Sequence, residues 1–220
     1  EKRYFVTGDQ AVVFEVKGTR FGINICEDVW NGDAPQLARA AGAQVLLAPN
    51  ASPFHMNKND FRIEVMRRNI SSLGMSLVYA NLLGGQDELI FDGNSFVLNH
   101  EGLVCAQLKH CEADLQIVDF INGVPQASIV AETISVEAQI YRALVLGVRD
   151  YVTKNGFPSV LIGFSGGVDS ALTLAIAVDA LGVEKVRAVM MPSPYTEDIS
   201  WLDSRDMVKR LNVRYDEISI

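Results

Sequence analysis

The chain has 220 residues, 49% hydrophobic and 21% charged, an ordinary globular composition with enough length for one large or two small domains. A formal net charge of −8 argues against a nonspecific nucleic-acid binder, which needs clustered Lys and Arg to replace counterions. No apolar run is long enough to span a bilayer, no basic-then-apolar signal opens the chain, and Cys26, Cys105 and Cys111 neither pair evenly nor show zinc spacing, so a soluble, reducing, cytoplasmic setting is expected.

Apolar residues alternate over 12–16 and 21–25 around Lys17-Gly18-Thr19, which predicts a β-hairpin with Cys26 at the end of its second strand. Asp33 and Pro35 open a short Ala-rich helix, Asp as its cap and Pro in its first turn. Residues 44–48 form a compact apolar strand closed by Pro49-Asn50, and 60–73 have helical spacing of Phe61, Val65 and Ile70. Strands are expected at 77–81 and 94–99, with the turn-rich run Gly84-Gly85-Gln86-Asp87-Glu88 as a loop between them. Strands at 103–108 and 115–120 complete a β-rich region, 1–120.

Asn122-Gly123 and Pro125 make 121–135 a linker. A long helix follows over 136–155, with Val136, Ile140, Ala143, Leu144, Val148 and Tyr151 on one face; Gly156 ends it and Pro158 prevents its return. A buried strand at 160–164, a loop at 165–170, an apolar helix at 171–181, a strand at 186–191, a helix at 203–211 and a final strand give region 136–220 the order of a parallel sheet with crossovers. The chain opens at Glu1 without Met and stops at Ile220 inside a strand-like run, so both ends read as cut.

Ser165-Gly166-Gly167-Val168-Asp169-Ser170 lies between the buried strand and the apolar helix. A strand-to-helix turn presents unpaired backbone N–H groups at the positive end of the helix, which suits an anion. Gly166 and Gly167 let the main chain approach a pyrophosphate closely, and Ser165 and Ser170 can each donate a hydroxyl hydrogen bond. A carboxylate beside phosphates is repulsive unless a cation stands between them, which assigns Asp169 to magnesium. A bare Gly-Gly turn would read as a helix cap, with Asp169 complementing the helix dipole; the full run in its strand–helix context favours the phosphate loop.

This run resembles the signature of the N-type ATP-pyrophosphatases, and Met191-Pro192-Ser193-Pro194-Tyr195-Thr196 looks specifically like the NAD synthetases, as does the helix around Tyr141-Arg142-Ala143-Leu144. The segments Asn24-Ile25-Cys26-Glu27-Asp28-Val29-Trp30, Asn50-Ala51-Ser52-Pro53-Phe54-His55 and 84–93 resemble the nitrilase-superfamily amidase that is fused to NAD synthetase as its glutaminase. The resemblance covers nearly the whole chain and points to the glutamine-dependent NAD synthetase family. It implies an α/β protein: the C-terminal part of an α-β-β-α nitrilase-like sandwich, then a parallel-sheet adenine nucleotide α-hydrolase-like domain.

It also implies the chemistry. Cys26 is the nucleophile on glutamine; the Glu27 N–H helps hold the oxyanion; Ser52 and Lys58 bind glutamine, the lysine through its α-carboxylate. Gly163, Phe164, Ser165, Gly166, Gly167, Val168, Asp169 and Ser170 bind ATP, with Mg2+ at Asp169. The substrates are deamido-NAD, ATP and glutamine or ammonia; a homo-oligomer is expected. The family's Glu base and Lys lie upstream of Glu1, and its synthetase domain runs past Ile220, so this chain alone is expected to be inactive. His55, His100 and His110 lack metal spacing, Cys105 and Cys111 are read as structural, and Glu88 and Asp92 as loop acids without a catalytic part. Two alternatives stand beside this reading. One is another glutamine-fed ATP-pyrophosphatase amidotransferase, such as a GMP-synthetase-like enzyme, against which Cys26-Glu27-Asp28 speaks. The other is a catalytically silent ATP-binding or assembly module.

Overall fold

The computed structural model describes residues 4, 6 and 8–220. Its elements in chain order are β1 (Val12–Val16), β2 (Thr19–Ile23), α1 (Asp33–Ala40), β3 (Val45–Asn50), α2 (Lys58–Ser71), β4 (Ser76–Asn81), β5 (Leu83–Gln86), β6 (Leu89–Asp92), β7 (Phe96–Leu98), β8 (Val104–Gln107), β9 (Phe120–Ile121), β10 (Val124–Pro125), α3 (Val136–Lys154), β11 (Val160–Gly163), α4 (Val168–Leu181), β12 (Val186–Met190), α5 (Asp198–Leu211) and β13 (Arg214–Glu217). The chain divides into two compact units, one of residues 1–83 and 91–139, the other of 84–90 and 140–220.

The first unit is built on a six-stranded mixed sheet in the order β1-β2-β3-β4-β7-β8. β2, β3 and β4 run parallel, while β1, β7 and β8 pair antiparallel at its two sides. Strand alternation delivers Leu46, Ala48, Leu77, Tyr79, Phe96 and Leu98 to a core shared with Ala38 of α1 and Val65, Met66 and Ile70 of α2. Burying one large apolar side chain of this kind stabilises by about 1.5–3 kcal/mol, so this layer carries much of the unit's stability. The parallel arrangement also brings the ends of β2, β3 and β4 to one edge, where open α/β sheets bind ligands.

The second unit holds a parallel sheet in the order β11-β12-β13. α4 packs over it through Leu174 and Ala177, and α5 through Val208. The Tyr141 hydroxyl on α3 donates to Asp179 Oδ2 on α4 at 2.6 Å, and that carboxylate pushes the phenol up to about 12.

Several local expectations change. Pro49 and Asn50 continue β3 instead of closing it; β2 pairs only as far as Leu47, so the missing Pro49 N–H falls where β3 has β4 alone beside it. The run 84–88 is not a loop: β5 and β6 form a hairpin turning at Asp87-Glu88, with Asp87 at φ 51. Of residues 115–120 only Phe120 enters a strand, and Leu115 and Ile117 stand exposed despite their alternation. β11 is not buried, for Leu161 is 68% exposed on an outer strand. Residues 121–135 begin with the β9–β10 turn at Asn122-Gly123 and then follow β8, with Ser128 N donating to Cys105 O at 2.8 Å.

Within the second unit the hairpin tip lies on α3. Gly85 N donates to Asp150 Oδ2 at 2.8 Å and Lys154 Nζ donates to Gly85 O at 2.6 Å. A Cβ on Gly85 would stand 3.1 Å from the Asp150 Cβ, and one on Gly147 would stand 2.9 Å from Ile90 Cδ1, so two glycines permit the approach.

Candidate functional site

β2 ends at Ile23, and Asn24 N still donates to Leu47 O of β3 at 3.1 Å. The chain then turns sharply: Cys26 has φ 50, in the left-handed region unusual for a side-chain-bearing residue, and begins a 3-10 turn over Cys26–Val29. Asp28 closes that turn by accepting the Ile25 N–H at 2.9 Å. The Glu27 N–H meets no acceptor among the described residues, which leaves a donor beside the Cys26 thiol. Cys26 is partly exposed and free of disulfide.

Ser52 follows β3 on the same edge and is held on all its polar atoms. Its N–H donates to Asn81 Oδ1 at 2.9 Å, and its carbonyl accepts from Asn81 Nδ2 at 3.2 Å. Its carbonyl and hydroxyl also accept from Arg62, Nη2 to O at 2.7 Å and Nε to Oγ at 3.2 Å. Lys58 opens α2 after Asn57, which sits at φ 61. Burial lowers the Lys58 pKa and the Arg62 guanidinium adds to that, while Asp92, Cys26 and Glu27 act in the opposite direction. Lys58 is in no ion pair with a described residue. One end of the sheet therefore gathers a strained thiol, a donor N–H, a fixed serine and an unpaired ammonium.

The residue that sequence reasoning missed is Arg62. Its side chain is fully buried and paired with Asp92, whose side chain is 2% exposed, at 2.9 Å. An arginine on a polar helix looks solvated in a sequence; only its place one turn after Lys58 hints otherwise. Asp92, read as a loop acid, is the buried partner of that cation. A polar cavity of about 270 Å³, lined in part by Asn57, Asp60, Asn94, Gln107, Glu132 and Gln139, does not include Cys26, Ser52 or Lys58.

In the second unit β11 ends at Gly163, and Phe164, 2% exposed, anchors the loop in the core beneath it. Gly166 has φ 79, and a Cβ there would stand 2.5 Å from Ser200 O of α5, so the loop lies against that helix in a way only glycine allows. Gly167 caps α4 without a side-chain bond. The helix starts at Val168, which puts Asp169 and Ser170 in its first turn instead of in the loop. Ser165 Oγ and Ser170 Oγ lie 3.1 Å apart, and Ser170 Oγ donates to Gly167 O at 2.9 Å. Asp169 is exposed, in no ion pair with a described residue. The described residues contain no group of three or more His, Cys, Asp or Glu able to hold a metal.

No described helix is long and apolar enough to cross a membrane. Residues 1–127 match the carbon-nitrogen hydrolase family model and residues 140–220 the NAD synthase family model. The chain is 42% identical to the glutamine-dependent NAD(+) synthetase of Acinetobacter baylyi, covering 98% of this chain and 40% of that protein. It is also 42% identical to the synthetase of that name from Rhodobacter capsulatus, over 100% of this chain and 41% of the relative. It thus spans about two fifths of the length of these curated relatives. The glutamine-dependent NAD+ synthetase of Acinetobacter baumannii, solved in complex with ADP, superposes with a TM-score of 0.95 at 42% identity, covering 100% of this chain and 42% of that one. A synthetase from Cytophaga hutchinsonii, 20% identical with a TM-score of 0.73 over 95% of this chain and 40% of its own, shares the fold.

Proposed function

Because this chain belongs to the carbon-nitrogen hydrolase family and continues into a segment matching the NAD synthase family, we propose that it is part of a glutamine-hydrolysing ligase that converts deamido-NAD to NAD with ATP. The observation that carries this reading is the meeting of Cys26, the Glu27 N–H, Ser52 and Lys58 at one sheet edge, in a chain whose second unit bears a glycine-built anion loop.

The amidase half works as follows. The Cys26 sulfur attacks the side-chain carbonyl carbon of glutamine as its proton passes to a base. The Glu27 N–H holds the oxyanion, Lys58 pairs with the α-carboxylate, and Ser52 contributes to the glutamine site beside it. The carbon–nitrogen bond breaks and ammonia leaves. Water then cleaves the thioester, giving glutamate and restoring the thiol.

In the second unit, the backbone N–H groups at the start of α4 and the hydroxyls of Ser165 and Ser170 bind the phosphates of ATP, with Gly163 and Phe164 fixing the base of the loop. The deamido-NAD carboxylate attacks the α-phosphorus and pyrophosphate leaves. Ammonia then displaces AMP from the acyl adenylate to form the amide. Asp169 would hold Mg2+, which supplies charge neutralisation at the triphosphate. A cytoplasmic homo-oligomer is the setting that fits ammonia passed between sites.

The test is Cys26→Ala in the enzyme that carries this chain. NAD synthesis from glutamine should vanish while synthesis from ammonium salt persists. Undiminished turnover with glutamine would remove Cys26 from its role.

A further inference from the structure

Arg62 is out of place on any stability argument. Its side chain is fully buried, and a buried ion pair is often replaced by apolar residues at no loss. What sets this one apart is where its donors go. Nη1 donates to Asp92 Oδ2 at 2.9 Å, while Nη2 donates to Ser52 O at 2.7 Å and to Pro53 O at 3.1 Å. Nε donates to Ser52 Oγ at 3.2 Å. The guanidinium thus grips the chain where β3 leaves the sheet, and it does so from the turn of α2 that follows Lys58.

The Nε contact decides the direction of the serine hydroxyl. An oxygen that accepts from a cationic N–H has its own proton turned away from that donor; Ser52 itself is buried, with the Tyr79 hydroxyl beside its side chain. Asp92 decides the charge. Without it, Arg62 and Lys58 would be two cations on successive turns of α2, and burial already weighs against the Lys58 charge.

We propose that the buried Arg62–Asp92 pair positions the glutamine site: Arg62 fixes Ser52 and the chain that leaves β3, and Asp92 offsets the Arg62 charge so that Lys58 is the cation presented to the α-carboxylate. This rests on the glutaminase reading above. Both residues are positioning residues, acting through Ser52 and Lys58.

The experiment compares two cysteine reagents on the enzyme that carries this chain. 6-Diazo-5-oxo-L-norleucine is an electrophile with the α-carboxylate and α-amine of glutamine; iodoacetamide has neither. In Arg62→Lys and Asp92→Asn, the concentration of the diazo reagent needed for half-maximal labelling of Cys26 should rise about tenfold or more. The iodoacetamide rate should stay within about twofold, because the thiol itself is untouched. Adding Arg62→Lys to Ser52→Ala should raise the half-maximal concentration by less than it does in the parent, since the serine side chain it fixes is gone. An unchanged half-maximal concentration in both single variants would overturn the proposal. So would an equal fall with both reagents, the mark of a merely collapsed site. A parent enzyme whose Cys26 is spared by the diazo reagent but taken by iodoacetamide would overturn the glutaminase reading itself, and the proposal with it.

Discussion

Cys26 holds its thiol at the cost of a left-handed backbone, φ 50. That conformation disfavours a side-chain-bearing residue by about 1–2 kcal/mol, whereas glycine loses about 0.5–1 kcal/mol through its greater unfolded freedom. The first effect is the larger. Cys26→Gly should therefore unfold in urea at higher denaturant than Cys26→Ala, by about 0.5–1 kcal/mol, with neither variant hydrolysing glutamine. A Gly variant no more stable than the Ala variant would show that the turn is unstrained. Arg62 behaves oppositely. Arg62→Met leaves the Asp92 carboxylate buried without its cation, and urea unfolding should show a loss of about 3–5 kcal/mol. The two residues also differ in how far a sequence reveals them. Cys26 stands at the end of an alternating strand in a run with family character, so its place could be read from the sequence and its proposed part follows from the resemblance. Arg62 is buried only because Ser52, Pro53 and Asp92 converge on it from distant segments, and no local pattern encodes that convergence.

Among the elements, the phosphate loop depends on one dihedral and one close approach. Gly166→Ala would place a methyl 2.5 Å from the Ser200 carbonyl at φ 79. Left-handed strain alone is about 1–2 kcal/mol, and the carbonyl belongs to α5 and cannot swing aside. ATP binding measured by calorimetry should be lost or fall steeply, and intact binding would show that α5 yields. The hairpin of β5 and β6 depends instead on charge. Burial pushes the Asp150 carboxyl up, but the Gly85 N–H, Lys154 and Arg149 together hold it below its ordinary 3.8. A depressed carboxyl contributes stability that is whole above 3.8 and is lost as the pH falls below it through the folded value. Amide exchange at Gly85 should accelerate over that acidic window, and Asp150→Ala should produce the same acceleration at neutral pH. Exchange at Gly85 indifferent to both changes would mean that the clamp holds nothing. The hairpin escaped sequence reading because Gly84-Gly85 has no apolar alternation. The side chains it lacks are those that would have collided with α3.

For the whole molecule, the α/β class, the parallel sheet of the second unit and the succession from amidase-like to synthetase-like sequence could be read from hydrophobic period and motifs, while the mixed order of the first sheet could not. The membership of residues 84–90 could not, because chain order says nothing of which core a hairpin tip joins. A protease site inserted at the exposed pair Glu132-Thr133 tests this directly. After cleavage, the two pieces should leave a sizing column together, since the first piece still carries the tip that docks on α3. Separation in buffer of ordinary salt would show the docking to be weak. The same feature governs how such enzymes can be recombined. A chimaera that takes everything after residue 136 from a relative would inherit a new α3 but keep the old tip, shaped to Gly147 and Asp150 of the original. The graft that preserves fit is discontinuous, with 84–90 travelling alongside the C-terminal piece. Substitutions in those two stretches should accordingly be tolerated in matched pairs more readily than singly.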